Sequence, residues 1–205
     1  MCPRPRVTTD EELLTATGRA VSKHGPADLT LAHVSAESGV APATLVQRFG
    51  SKRGLLLALA RQASELTTSQ YASIRAASKS PLAAILAVAD CMAQMAVTPE
   101  ALANHLAFLS IDLTDPEFHR LALEQARVSR REIQGLLDAA VKSRELSGCD
   151  TGPLARAIQV TLNGGLITWA IEREGTAAEW LRHDLEALLK PYRSKPGRRR
   201  TARRK

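Results

Sequence analysis

Apolar residues recur at three- and four-residue spacing along most of the chain, and no alternating apolar–polar run appears. That spacing lays one stripe along one face of an α-helix. The first such stretch opens on Thr9-Asp10-Glu11-Glu12, a capping box, and carries Leu13, Leu14, Thr17 and Val21 to about His24. It stops at Gly25-Pro26. The segment Thr30 to Lys52 then reads as two short helices and the opening of a third. Thr30 suits an N-cap, Gly39 a left-handed helix end, and Pro42 a first helical position where its missing N–H costs nothing. Val34 faces inward, Val40 fills the corner, and Leu45 and Phe49 share one core at i and i+4. Ser51 caps a helix from Lys52 to about Ser78, some 40 Å long at about 1.5 Å per residue.

Beyond it, three cap–proline starts follow in a row: Ser80-Pro81, Thr98-Pro99 and Asp115-Pro116. Each opens an amphipathic helix, the third running to about Leu146. A linker at 148–153 precedes a helix over about 154–173, where Ile158, Leu162, Leu166, Ile167, Trp169 and Ile171 wrap more than one face. Such a helix is buried on two sides. Asn163-Gly164-Gly165 in its middle invites close backbone approach. A second capping box, Thr176 to Glu179, opens the last helix. The expectation is an all-α protein of about nine helices: a helix-turn-helix domain (9–55), a bridging helix (56–79) and a helical domain (80–191). A basic arm (1–8) and a disordered basic tail (192–205) flank them. Two apolar helices side by side predict a homodimer contact through Leu162, Leu166, Trp169, Trp180, Leu181, Leu185 and Leu188.

Composition sharpens this only in places. Ala and Leu dominate and aromatics are 3%, which favours helix. The net charge of +7 resides wholly in Lys195–Lys205, which holds two Lys, five Arg and no acid, so the rest sums to zero. Basicity therefore argues for nucleic acid only through that tail and local patches. Cys2, Cys91 and Cys149 are isolated, as expected of reduced cytoplasmic thiols. No signal peptide or membrane span is expected. The five histidines form no metal motif, and no nucleophile or phosphate-loop motif is present, so neither an enzyme nor a cofactor is expected.

The chemistry lies in the helix-turn-helix, whose second helix enters the DNA major groove. That helix exposes Ala43, Thr44, Gln47 and Arg48. Gln pairs bidentately with adenine and Arg with guanine, and Thr44 can meet a phosphate or a thymine methyl. Thr30 stands at the start of the first short helix, and Lys52 joins a positive charge to a helix N-terminus, a phosphate clamp. Gly25, Thr30, Val34-Ser35, Ser38-Gly39-Val40, Thr44 to Phe49 and Ser51-Lys52 together resemble the DNA-binding domain of the TetR family of one-component repressors. Ser35 and Ser38 stand where that family usually has Ala, and Val46 where it usually has an aromatic that packs on the DNA backbone.

The resemblance implies a transcription regulator, a ligand-responsive repressor that binds a palindromic operator as a homodimer. It also implies a dimer interface in the last two helices and a pocket for a small-molecule effector among the middle ones. There Met92, Met95, Asn104, His105 and Phe108 are the candidates. Two other readings stand beside it: a sequence-independent DNA binder driven by the tail, and an all-α small-molecule-binding protein without operator recognition.

Overall fold

The computed structural model describes residues 8–194; nearly all of the basic arm and the charged run 195–205 lie outside the described residues. Among the described residues there are nine α-helices and no strand: α1 (Asp10–Asp28), α2 (Leu31–Ser38), α3 (Pro42–Phe49), α4 (Lys52–Ala77), α5 (Pro81–Ala93), α6 (Pro99–Thr114), α7 (Pro116–Lys142), α8 (Thr151–Glu172) and α9 (Ala177–Leu189). No single helix among them is long and apolar enough to cross a membrane.

The caps act where the sequence places them. Thr9 and Glu12 form a reciprocal box, as do Thr176 and Glu179. Ser51, Ser80, Thr98 and Asp115 each accept a backbone N–H from the first turn of their helix. Each removes an orphan donor that would otherwise fray the helix start. Two boundaries differ from the expectation. α7 ends at Lys142, because Arg144 takes φ 61° and turns the chain. Leu146 is then free to bury itself and bridge to Arg193. α8 begins at Thr151, three residues early, since Asp150 caps it and Pro153 falls in the first turn, where no N–H is needed.

Two apolar cores result. The first joins Leu13, Leu14, Val21, Leu29, Val34, Leu45, Leu55 and Leu56 of α1–α4 to Phe118 of α7. The second joins α5, α7, α8 and α9 to Tyr71 of α4 and Leu102 of α6. α6 serves both: Leu106 packs on the second core, Phe108 and Ile111 on the first. The α4 half that bridges them buries a polar face of Ser64, Thr67 and Tyr71. Burial pushes the Tyr71 phenol up to about 12, against a hydrogen bond with Ser129. Between α8 and α9 the approach is as close as the glycines suggested. A Cβ on Gly165 would stand 2.7 Å from Leu181 Cδ2, so any larger residue there would force Leu181 to shift. Glu145 ties the α7 end to α5, accepting from Ser80 Oγ at 2.7 Å and Leu82 N at 3.1 Å. Arg53 of α4 forms a two-pronged pair with Asp115, its Nη2 2.8 Å from Oδ2, and also reaches Glu117.

Two outcomes follow from this packing. Phe118→Ala should cost about 3–5 kcal/mol, the usual range for a buried Phe. In chemical denaturation the loss should appear in signals from the helix-turn-helix, although the residue is on α7. Asp115→Asn keeps a capping oxygen but removes the ion pair. The Arg53 guanidinium, with the Glu117 and Phe118 N–H groups, holds the Asp115 carboxyl below its ordinary value of 3.8. Its contribution is therefore complete above about pH 4 and lost as pH falls through the lowered value. Thermal unfolding should find the variant less stable at pH 7, with the gap closing toward pH 3.

Candidate nucleic-acid interface

Local chemistry shapes the α2–α3 corner. Thr30 Oγ1 accepts from His33 N at 3.2 Å, and His33 stacks on His24 with ring centroids 3.9 Å apart. Gly39 takes φ 73°, the left-handed end that α2 needs in order to reverse. The two serines that replace the family's alanines brace this turn. Ser35 Oγ donates to Val40 O at 2.6 Å, and Ser38 Oγ to Val34 O at 2.7 Å. Small size predicted that they would fit; the Ser35 bond across the corner to Val40 follows only from the fold, while the Ser38 bond stays within α2.

Leu45 is buried and Phe49 half-buried, so α3 turns its other face outward. Ala43 and Gln47 are exposed there and Thr44 is half-exposed. Val46, at 45% exposure, belongs to the same surface. It is an exposed apolar side chain at the position where the family usually has an aromatic. Arg48 is exposed but not idle: its Nη1 donates to Thr8 O at 2.6 Å and to Asp10 Oδ1 at 3.0 Å. Lys52 Nζ donates to Ala27 O at 2.7 Å, which brings the start of α4 beside the loop that leads to Thr30. With Arg53 held by Asp115 and Glu117, all three cations of this segment have acceptors within the chain. The Arg53 link escaped the sequence reading, because its partners lie some sixty residues away.

The five effector-pocket candidates do not converge. Met92 packs on the second core and Met95 is exposed. Asn104 and His105 face α1: Asn104 Nδ2 donates to Ser22 O at 2.8 Å, and His105 Nε2 lies 3.1 Å from Ser22 Oγ. Burial lowers the His105 pKa below the ordinary imidazole value. Phe108 meets Phe118 edge-on in the first core, with centroids 5.8 Å apart.

The dimer candidates also turn inward. Leu162, Leu166, Trp169, Leu181 and Leu185 are buried within their own subunit, leaving almost no surface for a partner. Trp180 and Leu188 keep partial exposure. Both indoles clamp the α8–α9 loop, Trp169 Nε1 donating to Gly175 O and Trp180 Nε1 to Glu174 O. Helical periodicity identified the apolar residues of a helix buried on two sides, but it could not say which side faces the subunit's own core.

Comparison with known proteins agrees with this geometry. The family model described as "Bacterial regulatory proteins, tetR family" matches residues 13–59. No curated protein matches. Among solved structures, a TetR transcription regulator from Haloarcula marismortui superposes with TM-score 0.74 at 18% identity, covering 90% of this chain and 98% of its own. A putative transcriptional regulator from Saccharomonospora viridis, in complex with choline, gives 0.75 at 14% identity, covering 91% and 98%. A TetR-family regulator from Cytophaga hutchinsonii gives 0.72 at 14% identity, covering 91% and 96%. The helix-turn-helix segment thus matches the tetR family model over residues 13–59, and the chain shares the fold of TetR-family transcription regulators along nearly its whole length.

Proposed function

We propose that the protein is an effector-responsive repressor that binds an inverted-repeat operator as a homodimer. The observation that carries this is the outward face of α3, which presents Ala43, Thr44, Val46 and Gln47 on a helix anchored by Leu45 and Phe49. Gln47 has both an amide donor and an acceptor for an adenine edge. Arg48 reads guanine once DNA draws it from Asp10; that pair is exposed, and such pairs contribute little, about 0–1 kcal/mol. Lys52, Thr30 and Thr44 take phosphates.

The dimer contact we assign is the outer face of α8. Val160, Ile167 and Ile171 are 64%, 42% and 76% exposed, at helical spacing. Gly164 lies among them, and a Cβ there would touch nothing. An apolar stripe with a bare glycine suits close approach of a second copy. Trp180 and Leu188 can extend it. The effector is a small molecule received by the second core. A family fold seen with choline in the Saccharomonospora protein supports looking for small organic ligands. α6, packed into both cores, is the element through which binding reaches α1 and α4.

Selection of bound duplexes from random DNA, with protein lacking residues 195–205, tests the reading. An inverted repeat is expected. Gln47→Ala should then weaken that operator by about 1–3 kcal/mol without moving the thermal midpoint. Binding only when the tail is restored would instead support the sequence-independent alternative. Ile167→Glu with Ile171→Glu should sediment as a folded monomer and lose operator affinity; an intact dimer would remove α8 from the interface.

A further inference from the structure

α6 meets α1 at the place where α1 ceases to be helical. Gly25 takes φ 69° and ψ 161°, and Pro26 follows it. In an unbroken helix the N–H of residue 26 would bond to Ser22 O. Proline has no N–H to give. Asn104 of α6 supplies the donor instead, its Nδ2 standing 2.8 Å from Ser22 O. The same amide lies against the bare side of Gly25, where a Cβ would come within 3.0 Å of Asn104 Oδ1. Next to it, His105 Nε2 is 3.1 Å from Ser22 Oγ. That hydroxyl gives its proton to Gly18 O, so the imidazole is the donor. Two consecutive α6 residues thus donate to one α1 residue.

The chain beyond the break is the arm that carries the helix-turn-helix. Leu29 N returns to Gly25 O, Lys52 holds Ala27 O, and Thr30 caps α2. At the far end of α6, Asp115 holds Arg53 at the start of α4. The helix-turn-helix is therefore tied to α6 at two places, near the middle of that helix and at its C-terminal cap. The tie at Ser22 is the one at the bend.

We propose that Asn104 is a positioning residue: by providing the donor that Pro26 lacks, it sets the angle between the helix-turn-helix and α6, and so the operator half-site spacing that the dimer accepts. This rests on the homodimeric, operator-binding reading above. Asn104 touches no base, so its loss alters tolerance of spacing and leaves the half-site sequence unchanged. Without that donor the carbonyl at the bend loses its side-chain partner, and the arm is freed to take other angles.

The test uses the full chain and three variants. Asn104→Leu keeps the size and removes the donor, Asn104→Asp keeps the shape and removes the donor, and Ser22→Ala removes only the hydroxyl. Affinities are measured for the selected operator and for versions with the half-sites moved by one or two base pairs. For both Asn104 variants, the preference for the selected spacing should fall roughly tenfold, the scale of one lost buried bond. The half-site sequence should stay the same, and Ser22→Ala should keep the wild-type preference. An unchanged preference in Asn104→Leu and Asn104→Asp overturns the proposal, and if the leucine variant does not fold, the aspartate variant decides. If the wild type itself selects no inverted repeat, the homodimer reading has failed instead. The role of Asn104 is then read without DNA, from amide hydrogen exchange. Exchange should quicken roughly tenfold over residues 22–31 and hold over 13–20; equal exchange in variant and wild type overturns it.

Discussion

Phe118 is the contact through which the two halves of this protein become one object. It belongs to α7, yet it is 2% exposed inside the core that α1–α4 build around Leu45 and Leu55. Phe108 meets it edge-on, and Arg53 lies over its ring with the guanidinium carbon 5.7 Å from the centroid. A helix-turn-helix of two eight-residue helices has little apolar surface of its own. Small cores are marginal because surface outweighs volume. Borrowing a phenyl ring and the second half of α6 gives this one its missing wall. The same loan means that α6 and α7 cannot shift without disturbing the DNA-binding core. Close-packed interiors move between discrete arrangements rather than deforming smoothly.

Electrostatics in the α3–α4 segment are arranged around internal partners. Arg48, Lys52 and Arg53 all satisfy acceptors on α1, just before it, or at the start of α7. Exposed pairs of this kind are cheap to exchange for phosphates, since water and salt already screen them. They fix side-chain direction rather than provide much stability. The body has no net charge to attract DNA at long range, because the +7 resides in residues 195–205. The outward face of α3 and the net positive charge thus lie in different parts of the chain.

The sequence alone was enough for every helix start except that of α8, and for the helix-turn-helix. Thr9, Thr30, Ser51, Ser80, Thr98, Asp115 and Thr176 cap as they read, because a cap is a contact across three residues of one chain segment. Leu45 and Phe49 were placed inward by their four-residue spacing for the same reason. The all-α class follows from periodicity, which needs no partner to be seen.

Only the tertiary structure decided which apolar or polar face meets which neighbour. Leu162 and Ile167 look alike in the sequence, yet one is buried in its own subunit and the other is 42% exposed, because α9 packs on one side of α8 alone. Asn104 and His105 read as groups for a ligand, but they turn to Ser22, eighty residues earlier, where a proline has left a carbonyl short of a donor. Glu145 likewise finds Ser80 and Leu82 across the fold. Periodicity and capping are properties of a few neighbouring residues and can be read along a line. The partner of a long-range hydrogen bond, or the side of a twice-buried helix that faces the core, depends on how separate helices pack together, and the order of residues carries no direct mark of it.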